Sequence, residues 1–323
     1  MTALTLGFIP LTDCASLVVA RDKGFFAAEG LSVSLSREAS WATIRDKVLF
    51  GALDGAHMLG PMALAATLAA EHPSAALIAP MALNRNGAGI TVSLALAAAM
   101  RGAALADIVT ARRATGGPPL TFAIVFPYAI HNYALRGWLA GQGVDPDQDV
   151  TIVVVPPPRM VEQLAAGRID GFCVGAPWNA VAVASGAGEM QAAGSTLLPG
   201  APDKVLGLSE SWLDRDPKPL EALLRALSRA GAWADDPENR DELTGLLSQP
   251  GAVGAAPAVI ARALEGEIVF QKDDASVASQ ADALWILSQM QHWGQLGPDV
   301  DLPAVAARVY RADLLEKALA AAA

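Results

Sequence analysis

Two matching segments, Gly51-Ala52-Leu53-Asp54-Gly55 and Gly167-Arg168-Ile169-Asp170-Gly171, lie 116 residues apart in the sequence. Each is preceded by a helical pattern, leads into a short apolar run and is followed by a proline, Pro61 or Pro177. Glycine permits a tight turn, and proline suits the first turn of a helix. The near-repeat therefore indicates two α/β lobes of similar construction; chance similarity in a chain rich in Ala and Gly is the alternative.

Short apolar runs alternate with helical patterns on either side of these segments. Several of the runs are apolar on both faces, which is typical of parallel strands covered by helices on each side, so the predicted class is α/β. From about Pro217 onward the pattern is helical only, which predicts a helical wrap at the C-terminal end. The predicted strands are residues 5–9, 32–36, 76–80, 121–126, 151–155 and 171–174.

Composition excludes several classes of protein. The 323 residues are 53% hydrophobic and 17% charged, enough apolar material for a large core. Lys and Arg number 23 against 33 Asp and Glu, and this net charge of −10 argues against direct nucleic-acid binding. Cys14 and Cys173 lie in no metal motif, so we expect two buried thiols and no metal or other cofactor.

Targeting features and enzyme motifs are also missing from the sequence. The N-terminus lacks the pattern of a signal peptide, and no apolar run reaches the roughly 18 residues of a membrane span, so we expect a cytoplasmic protein without membrane contact. There is no G-x-S-x-G, Walker A or H-E-x-x-H motif. A binding protein is therefore favoured over an enzyme, with its ligand in a cleft at the carboxyl ends of the strands.

Seven short segments, spread over most of residues 1–215, carry a family resemblance. They are 7–14 (GFIPLTDC), 23–26 (KGFF), 39–47 (ASWATIRDK), 54–59 (DGAHML), 131–138 (HNYALRGW), 153–158 (VVVPPP) and 171–179 (GFCVGAPWN). Together they resemble the nitrate/bicarbonate branch of the type II periplasmic-binding-protein folds, the NrtA/NasS family. The resemblance implies two hinged lobes around a ligand cleft, with residues 1–92 plus 198–323 as the first lobe and 93–197 as the second.

The resemblance also implies a function. Some members of the family are exported, lipid-anchored proteins that feed ABC transporters. Others are leaderless, NasS-like cytoplasmic sensors that bind nitrate or nitrite and hold an RNA-binding, ANTAR-type antiterminator inactive. Because this sequence starts directly at the fold, we expect such a sensor, with regulation of nitrate assimilation as its output. The alternative is the substrate-binding component of an ABC transporter, with a permease as its partner. Some relatives of the fold act in thiamine-precursor chemistry, using His- and Cys-rich sites that this sequence lacks.

Nitrate sets clear requirements for its binding site. It is a planar monoanion with acceptors only, so its pocket needs donors and positive charge, with no unpaired carboxylate facing the ligand. The resemblance implies Trp41, His131 and Lys204 for this role. Ser40 is a good N-cap before Trp41, so the indole N–H and the first-turn amides can converge on one anion.

Each of these three side chains has a purely structural alternative. The alternatives are a core aromatic for Trp41, a satisfied structural histidine for His131 and a solvated lysine for Lys204. Bicarbonate-binding members resemble this pattern with a carboxylate at position 204, since bicarbonate has an O–H to donate, so Lys204 favours nitrate or nitrite. His57 stands where the family often has Gln, and we expect it to pack under the sheet.

Four further positions match residues that line the pocket in the family. Pro157 and Val174 match lining positions that act through backbone and shape, with plain loop and core roles as the alternative. The family often has an amide side chain at the position of Ala88, so that donor is either missing here or replaced by backbone N–H groups of Gly87 and Ala88. Ala176 likewise replaces the Glu of a common Gly-Glu-Pro-Trp sequence. These departures bear on ligand identity and affinity.

Overall fold

The computed structural model describes residues 1–69, 76–265 and 268–321, and its framework is two five-stranded sheets. The strands of the first sheet are β1 (Thr2–Phe8), β2 (Leu31–Arg37), β3 (Gly55–Leu59), β4 (Leu77–Arg85) and β10 (Pro202–Ser209). Their order is β2-β1-β3-β10-β4. Strand β1 is parallel to β2 and β3, whereas β10 is antiparallel to both β3 and β4.

The second sheet repeats this arrangement. Its strands are β5 (Ala88–Ser93), β6 (Leu120–Ile124), β7 (Val150–Val154), β8 (Gly171–Gly175) and β9 (Gly188–Ala193). Their order is β7-β6-β8-β5-β9, with β6 parallel to its neighbours and β5 antiparallel to β8 and β9. The predicted α/β class is confirmed.

The chain passes between the two sheets twice. Sheet membership changes between β4 and β5 and changes back between β9 and β10. The lobe limits predicted from the sequence, 1–92 plus 198–323 and 93–197, stay a prediction. In the structure, residues 88–93 form β5 of the second sheet.

Helices cover both faces of each sheet. They are α1 (Ala15–Asp22), α2 (Phe25–Ala28), α3 (Trp41–Leu49), α4 (Gly60–Leu68), α5 (Leu94–Met100), α6 (Leu105–Ala114), α7 (Ile130–Gly141), α8 (Met160–Ala165), α9 (Trp178–Ala184), α10 (Gly194–Leu197), α11 (Lys218–Asp235), α12 (Arg240–Ser248), α13 (Pro257–Leu264), α14 (Gln280–His292), α15 (Leu302–Val309) and α16 (Ala312–Ala320). Helices α11 to α16 form the predicted C-terminal wrap, whose last two residues, 322 and 323, lie outside the described part of the chain.

The core has three apolar clusters. One lies between the first sheet and α1, α11 and α12, and another belongs to the second sheet and its outer helices. The third contains residues of both lobes, such as Met58 and Phe172, so the lobes are in apolar contact where they meet. Cys14 and Cys173 are buried free thiols, as predicted, and burial raises the pKa of each.

In the described part of the chain, no single helix is long and apolar enough to cross a bilayer. Helices α5 and α6 meet the requirement only when taken together across a bend of 107°.

The sequence repeat corresponds to the same pair of aspartate hydrogen bonds in each lobe. Asp54 accepts the Thr5 N–H through Oδ2 at 2.8 Å and returns its own N–H to the Thr5 carbonyl at 2.9 Å. Asp170 does the same with Thr121, at 2.8 and 2.7 Å. In each lobe the aspartate thus fastens the start of the central strand of the sheet, β3 or β8, to the neighbouring parallel strand, β1 or β6.

Substituting either aspartate should therefore weaken its lobe. We expect Asp54→Ala and Asp170→Ala each to lower the free energy of unfolding by about 1–3 kcal/mol, because each leaves a partly buried strand N–H without its acceptor. Urea unfolding followed by tryptophan fluorescence measures this. Asp54→Asn and Asp170→Asn, which keep a side-chain oxygen, serve as controls and should lose less. Alanine variants as stable as the parent chain would contradict this role.

Candidate functional site

A buried ion-pair cluster lies on β10 of the first lobe. Lys204 Nζ is 2.8 Å from Asp13 Oδ2 and is also hydrogen-bonded to Asp203 Oδ2, and the three side chains are at most 2% exposed. The pairing of β10 with β4 shifts register between Pro202 and Lys204 and again after Lys204. Consecutive side chains of a regular strand point to opposite faces of the sheet, but irregularities of this kind change the direction of side chains. The side chains of the consecutive residues Asp203 and Lys204 are hydrogen-bonded to each other here.

Two aromatic side chains of the first lobe extend the cluster. His57, on β3, places Nε2 2.7 Å from Asp13 Oδ1. The Trp41 ring lies 5.4 Å from the His57 ring, and Lys204 Nζ is 5.7 Å from the Trp41 ring centroid. Trp41 is the first residue of α3, which is capped by Ser40 through its hydroxyl to the Thr43 N–H, as the sequence predicts.

His131 reaches the same cluster from the second lobe. It lies in the first turn of α7 and is fully buried, with Nε2 3.9 Å from Asp203 Oδ2. Gly175, at the end of β8, makes room for this approach. A Cβ atom at that position would be 3.2 Å from Asp13 Oδ2 and 3.5 Å from His131 Nε2. The site is therefore composite, with the two lobes supplying opposite sides.

The electrostatics of the cluster are dominated by burial and by these pairs. Burial alone would raise the pKa of the Asp13 carboxyl, but Lys204 and His57 beside it hold that pKa well below its usual range. Burial would lower the pKa of Lys204, yet Asp13 and Asp203 raise it above the ordinary value. Burial lowers the pKa of His131 to about 4. At neutral pH, Lys204 is charged and His131 is neutral.

Several buried polar atoms of the cluster have no hydrogen-bond partner among the described residues. They are Trp41 Nε1, both ring nitrogens of His131, His57 Nδ1 and Asp203 Oδ1, whereas His57 Nε2 has only Asp13 Oδ1 nearby, at 2.7 Å. Burying a polar group without a partner costs about 1–3 kcal/mol, so native proteins rarely leave such groups together. Trp41 and the two histidines can donate, and they lie around a charged lysine. The arrangement is that of a site for a small ligand rich in acceptors.

The three principal residues predicted from the sequence are thus brought together. Trp41, His131 and Lys204 are 1%, 0% and 0% exposed and share one cluster. The geometry contradicts the description of Lys204 as a solvated lysine, and the missing hydrogen-bond partners of His131 contradict that of a satisfied structural histidine. Their contact with a ligand stays a prediction.

The four other predicted residues lie around the cluster. Val174 precedes Gly175 in β8, and Ala88 is the strand partner of Gly175 in β5. Gly87 and Ala88 line a cavity of about 160 Å³ with Ala176 and Asn179, and none of its lining residues belongs to the cluster. Pro157 is buried at the start of a 3₁₀ helix, Pro157–Arg159, where its carbonyl accepts the Met160 N–H. No polar contact joins these four residues to the cluster in the described part of the chain.

Three residues of the cluster were not predicted. Asp13 is in the segment 7–14 quoted for the resemblance, Asp203 only precedes the predicted Lys204, and His57 was expected to pack under the sheet. Asp13 is paired with His57, 44 positions away in the sequence, and with Lys204, 191 positions away. Contacts between such distant positions cannot be predicted from local sequence patterns. The expectation that no unpaired carboxylate faces the ligand stays a prediction: the Asp203 carboxylate is paired with Lys204 through Oδ2, while its Oδ1 has no partner among the described residues.

Direct contacts hold the two lobes together around the cluster. At one end of the cleft they join the loop after β1 to the turn after β8, and at the other they join α7 to the turn after α14. The hydrogen bonds are Thr12 N–H to Ala176 O (2.8 Å), Trp178 Nε1 to Pro10 O (3.2 Å), Tyr133 OH to Gln295 Oε1 (2.9 Å) and Gln295 Nε2 to Pro127 O (3.0 Å). Because the cluster is fully buried, a ligand can reach it only when the lobes separate.

Two similar α/β lobes closed over a buried polar cluster define a substrate-binding protein of the type II periplasmic-binding-protein fold. Residues 1–248 match the profile of the NMT1-like family, and the chain belongs to that family. It is 34% identical over 341 residues to the nitrate/nitrite binding protein NrtA of Synechococcus elongatus, covering 98% of this chain and 77% of NrtA.

A solved structure gives the same result. The crystal structure of the periplasmic nitrate-binding protein NrtA from Synechocystis PCC 6803 superposes with a TM-score of 0.91 at 31% identity, covering 99% of this chain and 89% of that chain. The predicted fold and family are confirmed. The expectation of a binding protein rather than an enzyme is confirmed as well, since these relatives are binding proteins.

Another relative is a larger protein. The nitrate import ATP-binding protein NrtC of Synechocystis is 38% identical over 332 residues, covering 98% of this chain. The chain spans only about half of it, 49% of its length.

Proposed function

We propose that this protein binds nitrate or nitrite between its lobes. The observation that carries the proposal is the convergence of Trp41 Nε1, the His131 ring and the Lys204 ammonium in one buried site, where the first two have no hydrogen-bond partner among the described residues. An indole N–H and an imidazole N–H can each donate to an oxygen of the anion, and Lys204 supplies positive charge. Relatives with nitrate in their names support this ligand class.

Ligand binding in this site would couple to lobe closure. Trp41 and Lys204 belong to the first lobe and His131 to the second, so an anion held by all three makes its full set of contacts only when the lobes are closed. A ligand shifts a conformational equilibrium only through such differential contacts. The hydrogen bonds between Thr12 and Ala176 and between Trp178 and Pro10 would stabilise the same closed arrangement.

Delivery of the anion to an ABC permease is the role that we propose for this binding. The relatives named for nitrate binding and nitrate import support it. The finer expectation from the sequence, a cytoplasmic sensor that controls an ANTAR-type antiterminator, stays a prediction. Co-purification of the native protein with a permease, or with an ANTAR-type protein released by nitrate, distinguishes the two roles.

Isothermal titration calorimetry tests the ligand assignment directly. We expect one molecule of nitrate or nitrite to bind per chain, and sulfate to bind at least about tenfold more weakly, because a second negative charge meets the buried Asp203 carboxylate. Bicarbonate, which brings its own O–H donor, is the discriminating competitor. Tight binding of bicarbonate or sulfate in preference to both nitrogen oxyanions would overturn the proposal.

A further inference from the structure

The charges of the buried cluster do not balance for an incoming anion. With both histidines neutral, Asp13 and Asp203 contribute two negative charges and Lys204 one positive charge, which leaves −1. A bound monoanion would bring this sum to −2 in a site where the side chains are at most 2% exposed. Uncompensated charge in a buried site is strongly unfavourable, so a further positive charge has to accompany the anion.

A metal ion does not fit this requirement. Among the residues that the structure describes, no three histidine, cysteine or carboxylate side chains are grouped so that they could hold one. A proton is the remaining small cation, and an imidazole is the group that takes it up most readily near neutral pH.

His131 is placed to hold that proton. Its two ring nitrogens have no hydrogen-bond partner in the described part of the chain, and Nε2 is 3.9 Å from Asp203 Oδ2. Oδ1 of Asp203 is likewise a buried acceptor without a described partner. A neutral imidazole has one N–H, whereas an imidazolium has two and can donate to the anion and to Asp203 together.

His57 is a less suitable carrier. Its Nε2 is 2.7 Å from Asp13 Oδ1 within the first lobe, so a proton placed there serves Asp13 whether or not an anion is bound. The charged groups that act on His131 come from two other elements, and the nearest carboxylate among them is that of Asp203. They are Asp203 and Lys204 on β10 and Asp13 in the 3₁₀ helix Thr12–Cys14. The Cys173 thiol on β8, near Asp203 and Lys204, is neutral because burial raises its pKa.

Building on the proposed function, we infer that the site takes up its anion together with one proton, which His131 holds between the anion and Asp203. The proton forms a new N–H bond on the imidazole and comes from solvent when the lobes close. Asp203 then acts as a specificity-determining residue, because its carboxylate makes the site select an anion accompanied by a proton over the anion alone.

The expected pH dependence follows from linkage. Burial holds the pKa of His131 at about 4 without the anion, and an adjacent anion raises it. Affinity is therefore highest below the pKa of the free protein and falls by about tenfold per pH unit as the pH rises toward the pKa of the complex. Above the pKa of the complex it no longer changes.

Calorimetry of the whole protein with nitrate in buffers of different ionisation enthalpy counts the protons. Imidazole and Bis-Tris are suitable because both buffer in this pH range and neither has an anionic group that competes for the site. At pH 6 to 7 we expect uptake of close to one proton per nitrate. Asp203→Asn should bring this number close to zero and flatten the pH dependence, because the anion then meets one negative charge fewer and needs no proton to offset it.

Matched variants separate this mechanism from general effects. His57→Gln should keep the proton uptake, whereas His131→Gln, which retains one amide donor, should lose it. Glu189→Gln, which removes an exposed carboxylate paired with Arg101, should leave both affinity and uptake unchanged. Nitrate binding without proton uptake in the parent chain would overturn the inference and leave the proposed function intact. A complete lack of nitrate and nitrite binding at every pH would overturn both.

Discussion

Lys204→Gln should abolish nitrate binding, with a loss of affinity of at least about 100-fold in calorimetry. The variant removes the one ammonium in the buried cluster while leaving Asp13 and Asp203 in place. An incoming anion would then face two carboxylates with no lysine between them. A hydrogen bond to a charged group contributes about 1.5–3 kcal/mol, and like-charge repulsion in a buried site adds to that loss.

The same substitution should destabilise the protein, and the two effects have to be separated. Removing one partner of a buried ion pair costs about 3–5 kcal/mol, because the other partner is left uncompensated. The double variant Asp203→Asn with Lys204→Gln should recover part of this stability, since one of the stranded carboxylates is gone. It should not recover nitrate binding.

A second lysine provides the matched control for this experiment. Lys47→Gln removes a 43% exposed ammonium paired with Glu38 on the outside of the first lobe, and nitrate affinity should not change. If Lys204→Gln instead folds and binds nitrate with the parental affinity, Lys204 does not belong to the site. The argument that its positive charge favours nitrate is then wrong as well.

The fold could be predicted because its signals are local. The turn glycines Gly51 and Gly167 adopt φ of 71° and 64°, a conformation that glycine reaches without strain, and each stands at a fixed spacing from the aspartate that follows. Asp54 and Asp170 then bind the first parallel neighbour of the strand that follows them, β1 or β6, in the same way. The residues of such a repeat are adjacent in the sequence, so the repeat can be recognised without the structure.

Trp41, His131 and Lys204 could be proposed for the site because the sequence resembles the family at those positions. The N-cap serine before Trp41 is the local signal that stands beside this resemblance. Asp13 and Asp203 could not be proposed, because their role depends on a register shift in β10 and on the approach of distant segments. A lysine flanked by Asp and Val in an exposed-looking sequence gives no sign that it is fully buried.

A substitution at Trp41 tests whether its indole N–H binds the anion or whether the side chain only packs in the core. Trp41→Phe keeps an aromatic ring beside Lys204 and His57 but removes the N–H. If that N–H donates to the anion, affinity for nitrate should fall by about 1.5–3 kcal/mol, or roughly 10- to 150-fold. Stability should change little, because Nε1 has no hydrogen-bond partner among the described residues to lose.

Trp212→Phe is the matched variant and should behave in the opposite way. Trp212 is also buried, but its Nε1 donates to the Asp54 carbonyl at 2.8 Å within the first lobe. Its loss should lower the free energy of unfolding by about 1 kcal/mol or more and leave nitrate affinity unchanged. Calorimetry and thermal unfolding of both variants give the four values needed. If Trp41→Phe loses stability while keeping its nitrate affinity, Trp41 is a core aromatic, and the anion is held by other groups.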